Sequence, residues 1–94
     1  MIGARTYHGG VKGRHKKTLE AVFREPAGAA IAWSDLEALL IAAGCSVVEG
    51  AGSRVRFVHG SKVETFHRPH PAKEAKRYQV RAARAFLVRL GIAP

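Results

Sequence analysis

Two arginines and one histidine carry the chemistry that this sequence can offer. Arg54 and Arg56 alternate along one predicted strand, and His67 lies near the end of the next. Two guanidinium groups can hold phosphate oxygens in forked geometry. An imidazole titrates near neutral pH and can move a proton at the same place. These groups together supply what metal-free RNA cleavage requires: a base for the 2′-hydroxyl, an acid for the leaving oxygen, and cations around the phosphorus.

A predicted β-hairpin brings the three residues together. Gly60-Ser61 forms a two-residue hairpin loop, and its glycine can supply the positive φ that such turns need. This loop length sets the register, with Arg54 opposite His67 and Arg56 opposite Thr65. Alternation then divides the two strands into a core face and an uncovered face. The core face holds Val55, Phe57 and Phe66, and the uncovered face holds Arg54, Arg56, Val58, Val63, Thr65 and His67.

Two other interpretations of these residues stay open at this point. The uncovered face can be an ordinary solvated sheet surface that carries surface arginines. His67 and His70 could be metal ligands, but two histidines alone do not make a zinc site. On the predicted register, Glu64 faces the opposite side from His67. We therefore expect no metal site and no cofactor.

The elements that must position the cluster follow the order helix, helix, three strands, helix. The first helix is predicted from about Lys16 to Arg24, and the second opens with a capping box from Ser34 to Glu37. The predicted fold class is α+β, with a three-stranded antiparallel sheet packed against helices. The predicted strands are Cys45 to Glu49, Arg54 to His59 and Lys62 to Arg68, and the last helix runs from Lys73 to Leu90.

The cationic residues concentrate at the two ends of the chain. The 94 residues include 16 Lys and Arg against 7 Asp and Glu, which gives a net charge of +9. Such an excess attracts polyanions, nucleic acid among them. Residues 1–17 carry basic side chains, several glycines and no acidic residue. We predict a basic flexible tail over residues 1–15 and a single domain over residues 16–94.

A second basic surface is predicted on the last helix. Its cationic residues recur at helical spacing, so they form a basic stripe beside the apolar face: Lys73, Arg77, Arg81 and Arg84. His70, between two prolines, could cap this helix or contact a phosphate. The expected RNA-binding set is Arg56, Arg68, His70, Lys73, Arg77, Arg81 and Arg84.

The single cysteine and the lack of long apolar runs predict a cytoplasmic location. Cys45 cannot form an internal disulfide, which fits a reducing compartment, and a small buried core residue is its expected role. No apolar run has the length of a membrane span, and no secretory core follows the N-terminal charges. We therefore expect no membrane partner.

From Lys17 to Ile92 the sequence resembles the HicA family, the toxin half of a bacterial type II toxin–antitoxin pair. This resemblance implies a double-stranded-RNA-binding-like fold and an mRNA endonuclease activity that needs no cofactor. It also implies a HicB-type antitoxin as the protein partner. Four pieces carry the likeness: Trp33-Ser34-Asp35-Leu36, Gly52-Ser53-Arg54, Phe66-His67-Arg68-Pro69-His70-Pro71 and Phe86-Leu87-Val88-Arg89-Leu90-Gly91-Ile92.

The sequence departs from the family pattern at one place. Family members usually carry their catalytic histidine directly after the Gly-Ser pair or within a residue or two, where this chain has Arg54, Val55 and Arg56. An arginine is a poor base because it stays protonated at any working pH. Either His67 performs the proton transfer beside Arg54, or the chain binds RNA without cleaving it or cleaves it by another route.

Overall fold

A computed structural model describes residues 13–24 and 30–94 of the chain. The element order and the antiparallel sheet confirm the predicted α+β class. Residues 1–12, most of the predicted tail, lie outside the described residues. The elements are α1 (Arg14–Val22), α2 (Trp33–Ala42), β1 (Ser46–Glu49), β2 (Arg54–His59), β3 (Lys62–His67) and α3 (Arg77–Arg89).

The first two helices form because their apolar residues recur at helical spacing. Leu19 and Val22 of α1 are both buried, as the i, i+3 pattern predicts. In α2, Leu36, Leu39 and Leu40 are buried against the same core. The chain leaves α2 through Gly44, whose φ of 105° is open to glycine and unfavourable for other residues.

The predicted capping box at Ser34 is wrong. Helix α2 begins at Trp33, with Ala32 as its N-cap and no capping hydrogen bond from a side chain. The backbone N–H of Trp33 donates instead to the carbonyl of Lys73 at 2.8 Å. Pairing with a distant segment therefore sets the start of this helix, so that Ser34 lies inside it. The Glu37 carboxylate is also engaged elsewhere, since it accepts from the Trp33 indole at 2.8 Å.

The three strands form one antiparallel sheet in the order β1-β2-β3. Arg54 pairs with His67, Arg56 with Thr65, and every other pair of the hairpin also matches the predicted register. Gly60 has a φ of 63°, the conformation for which the hairpin loop needs a glycine. The observed β1 and β3 are each one residue shorter than predicted, because β1 starts at Ser46 and β3 ends at His67.

An aromatic cluster joins the sheet to α2. The Trp33 ring packs against Phe66 with centroids 5.4 Å apart, and Phe66 packs edge-on against Phe57 at 5.7 Å. Such pairs contribute about 0.5–1.5 kcal/mol each beyond the area they bury. Cys45 is also in this core, as predicted, and burial raises the pKa of its thiol to about 11.

The predicted start of the last helix is also wrong. Helix α3 begins at Arg77, and the preceding residues run extended beside the segment that leads into α2. Ala75 donates its backbone N–H to the carbonyl of Ile31 at 2.8 Å, so this stretch has its hydrogen bonds outside the helix. Lys73 therefore does not belong to the helical stripe. In the described part of the chain, no helix combines the length and the apolar character that crossing a membrane takes.

Candidate functional site

The sheet leaves one face uncovered, and we call this surface the open sheet face. It is the side of the sheet opposite the aromatic cluster, because the pleat sends alternate side chains to opposite faces. Val55, Phe57 and Phe66 are buried on the core side, while their strand neighbours are exposed or half-buried. The register assigns to the open sheet face Ser46, Val48, Arg54, Arg56, Val58, Val63, Thr65 and His67.

His67 is the last residue of β3 and lies on the rim of the open sheet face. It is exposed and pairs directly with Arg54 across the hairpin. Directly opposite residues of an antiparallel pair have Cβ atoms about 4.5–5.5 Å apart, so the two side chains leave the backbone next to each other on the same face. The Nδ1 atom of His67 lies 3.5 Å from the Ser53 hydroxyl. Nδ1 is therefore directed toward Ser53, and Nε2 has no hydrogen-bonding partner among the described residues.

Ser53 is a site residue that sequence reasoning missed. No base is adjacent to Ser53 in the chain, so the sequence by itself favours a turn residue at this position. Its contact with His67 comes from the hairpin register, which brings the residue before β2 beside the end of β3. The hydroxyl can accept from Nδ1 or donate to it, and either arrangement selects a tautomer of the imidazole.

Arg54 and Arg56 are the unengaged cations of the open sheet face. Both are exposed, and within the described part of the chain neither side chain takes part in a hydrogen bond or an ion pair. They follow one another at the strand period of two, so both guanidinium groups project from the same side of β2. This pair can approach one polyanion without first breaking a contact inside the protein.

Arg68, a predicted RNA-binding residue, is instead held by two carboxylates. Its guanidinium donates to both oxygens of Glu37, at 3.1 and 3.0 Å, and to both oxygens of Glu49, at 2.7 and 2.9 Å. The hydrogen bonds that Arg68 donates to Glu49 lower the pKa of the Glu49 carboxyl, and those that it donates to Glu49 and Glu37 raise its own pKa. Arg68 thus joins the end of β3 to α2 and β1. Sequence spacing carries no signal for this contact, since both acids are distant in the chain.

The basic stripe of α3 is divided between internal and exposed cations. Arg84 donates to the carbonyls of Val22 and Arg24 at the C-terminal end of α1, at 2.8 and 3.2 Å. Those carbonyls have no partner within a helix, so Arg84 acts as a cap for α1. Arg77 and Arg81 are exposed, one turn apart. They are the part of the predicted stripe that faces solvent.

The remaining two predicted residues lie in the connection between β3 and α3. His70 is exposed and is not the N-cap of α3, a position that Lys76 occupies. Lys73 is exposed and lines a groove together with Trp33 and Pro71. Among the described residues, no group of three His, Cys, Asp or Glu side chains is placed to hold a metal ion.

Fold and site together define a small, strongly basic α+β domain with arginines and an imidazole on an uncovered antiparallel sheet. Residues 33–92, which include α2, the whole sheet and α3, match the family model described as the HicA toxin of bacterial toxin–antitoxin. This match covers more than half of the chain, so the protein belongs to the HicA toxin family. Neither the curated proteins nor the solved structures contain a match to the chain. The likeness to a double-stranded-RNA-binding fold stays a prediction.

Proposed function

We propose that this protein is a toxin that binds mRNA and cleaves it without a metal ion or cofactor, with His67 as its proton-transfer group. One observation carries the proposal. An exposed imidazole lies directly across the hairpin from Arg54, and its Nδ1 is directed toward Ser53. Arg54 therefore starts from the strand position opposite the imidazole, from which it can bind the phosphate, and Nε2 of the imidazole is left for the proton.

The chemistry follows from these three side chains. In the tautomer whose Nδ1–H donates to the Ser53 hydroxyl, His67 Nε2 accepts the proton of a ribose 2′-hydroxyl, whose oxygen then forms a bond to the adjacent phosphorus. The bond from phosphorus to the 5′-oxygen of the next nucleotide breaks, and that oxygen takes up a proton from the imidazolium. The products are a 2′,3′-cyclic phosphate and a 5′-hydroxyl. Arg54 and Arg56 stabilise the negative charge that develops on the non-bridging oxygens.

RNA binding is assigned to the cations that are exposed to solvent. Arg56, Arg77 and Arg81 contact phosphates in this proposal, with Lys73 adding positive potential and the His70 imidazole a further polar group beside them. Arg68 and Arg84 are left out, because their guanidinium groups hydrogen-bond to acceptors of the protein itself. Binding of this kind is electrostatic and weakens as salt rises.

The proposed protein partner is a HicB-type antitoxin that neutralises the toxin in the cytoplasm by covering the open sheet face. Membership of a toxin–antitoxin family supports a dedicated inhibitor. The composition of the face supports its location there, since Val48 and Val63 are exposed among the arginines. An interface that joins apolar contact to charge pairing needs both kinds of residue.

The test is cleavage of a defined RNA by purified protein in the presence of a chelator. Replacing His67 by Ala is expected to lower the cleavage rate by about 10²–10⁴-fold, the usual contribution of a general base. His59→Ala is the matched control, because His59 is exposed on the same hairpin but belongs to the other face. Circular dichroism checks that both variants fold. An unchanged rate in the His67 variant would show that the base lies elsewhere.

A second candidate function is RNA binding without cleavage. The observation that favours it is Arg54, which stands where the family resemblance expects the catalytic histidine. This alternative predicts salt-sensitive RNA binding, intact RNA at high protein concentration, and no arrest of growth from degraded transcripts. Expression without an antitoxin, with transcript integrity followed over time, separates the two functions.

A further inference from the structure

Gln79 is the one polar side chain that is buried among the described residues, with 1% of its surface exposed. It lies in the first turn of α3, between that helix and the end of β3. A buried amide is unfavourable unless its donor and acceptor are both satisfied. The hydrogen-bonding partners of this side chain therefore indicate its role.

The two ends of the Gln79 amide have different partners. Its Oε1 accepts from the backbone N–H of Lys76 at 2.9 Å, which is a local capping contact for α3. Its Nε2 donates to the backbone carbonyl of His67 at 2.7 Å. The second contact crosses from the helix to the strand end. It reaches the residue to which we assign proton transfer.

The peptide group after His67 is held from both sides. Its carbonyl accepts from Gln79, and its N–H, that of Arg68, donates to the carbonyl of Ser53 at 2.9 Å. A peptide group fixed at its oxygen and its nitrogen fixes ψ of the preceding residue. The direction in which the His67 side chain leaves the backbone is fixed with it. Strand β3 ends at this residue, and the hydrogen bond from Arg68 to Ser53 lies one residue beyond its last paired position.

We infer that Gln79 is a positioning residue for His67, a role that rests on the proposed function. It holds the backbone so that His67 stays paired opposite Arg54 and its imidazole stays within reach of the Ser53 hydroxyl. Glutamate and glutamine serve equally as capping residues at this helical position, since either can accept from the N-cap N–H. Only the amide can also donate to the carbonyl of His67. The residue type present is therefore the one that both contacts require.

Gln79→Glu separates the two contacts. The introduced carboxylate still accepts from Lys76 but cannot donate to the carbonyl of His67, so the cap of α3 remains while the strand end is released. We expect kcat for cleavage of a defined single-stranded RNA to fall by about 10- to 100-fold, because small displacements of a reacting group are costly. We expect KM to stay near the wild-type value. The full chain is used, below its melting temperature.

The matched control is Ala83→Gly, at another buried position of α3. Glycine destabilises a helix interior, so this variant loosens α3 without touching His67. If Gln79 acts only in stability, the two variants lower the melting temperature but leave kcat and its pH profile unchanged. That result would overturn the positioning role.

A measurement that does not need cleavage keeps this inference separable from the proposed function. The imidazole carbon–proton signal of His67 is followed by NMR through a pH titration, with His59 as the internal reference. We expect the His67 signal to move at both ends of the titration in Gln79→Glu, where a displaced ring changes the signal and the added charge alone shifts only the midpoint, and to stay at wild-type values in Ala83→Gly. An unchanged signal in both overturns the positioning role, whereas wild-type cleavage by His67→Ala overturns the assignment of the base alone.

Discussion

The two faces of the β2–β3 hairpin are built from alternate residues of the same strands, but one face packs into the core and the other is exposed to solvent. Val55 and Phe57 are completely buried on one face, and Arg54 and Arg56 are exposed on the other. A slip of one residue would turn the arginines into the core, so the buried face determines the register. The open sheet face takes its geometry from that register. The arrangement of the cations and the imidazole is set by aromatic packing behind them.

The arginines also differ in whether their guanidinium groups are bound by other groups of the protein, which the net charge does not show. Arg68 is bound by two carboxylates and Arg84 by two carbonyls, so both hold elements together. Arg54 and Arg56 make no such contact with the described residues. The number of cationic side chains that can bind a ligand therefore cannot be read from the basic composition. The predictions that follow test this division between structural and available residues.

The largest effect is expected from Phe57→Ala, which removes one ring of the aromatic cluster. A fully buried Phe truncated to Ala costs about 3–5 kcal/mol of unfolding free energy. Its neighbour Arg56→Ala, on the other face of the same strand, should change stability by no more than about 0.5 kcal/mol. Urea denaturation measures both. Equal destabilisation in the two variants would contradict the division of the hairpin into a core face and an open face.

The next effect is expected from Glu37→Gln, which breaks the pair with Arg68. The Glu37 side chain is only 21% exposed, and removing hydrogen bonds to a charged partner there should cost about 1–3 kcal/mol. Glu20→Gln, on the exposed side of α1, is the control and should be close to neutral. Thermal unfolding compares them. A neutral Glu37 variant would mean that the pair between Glu37 and Arg68 does not stabilise the fold.

A smaller effect on stability and a clear effect on binding are expected from Arg54→Gln combined with Arg56→Gln. Removing one phosphate-binding cation should lower the slope of log affinity against log salt by about 1. The double variant should therefore lower it by about 2, with the fold intact. Fluorescence anisotropy with labelled RNA gives the slope. The control is a substitution of Lys62, which lies near the hairpin loop and belongs to the opposite face from Arg54 and Arg56. This substitution should leave the slope near the wild-type value.

The smallest effect is expected from the exposed partner of Arg68. The hydrogen bond from Arg68 lowers the pKa of Glu49 from its ordinary value of 4.5. A lowered folded-state pKa stabilises the fold above pH 4.5, and that contribution disappears as pH falls through the folded value. The stability difference between wild type and Glu49→Gln should therefore shrink on acidification. Denaturation curves at neutral pH and at about pH 3 measure it; a constant difference would contradict the linkage.

The hairpin was predictable because its determinants are local. A Gly-Ser loop between alternating strands leaves one register, and this predicted the pairing of Arg54 with His67 and the exposure of both. Prediction failed where a distant segment competed with a local signal. Ser34 looked like a cap and Lys73 looked helical, but the backbone hydrogen bond between Trp33 and Lys73 places the first inside α2 and the second before α3.

By itself, the sequence determined the element order, the buried face of the hairpin and the family. Periodicity, turn residues and the order of motifs depend only on residues that are close together in the chain. Only the tertiary structure decided which cationic side chains are engaged by other described residues and which residues contact His67. Glu37 and Glu49 take Arg68, while Ser53 and Gln79 flank His67. The physical reason is that hydrogen bonds and ion pairs act over a few ångströms. Their partners here are far apart in the chain, and only the folded arrangement makes them neighbours.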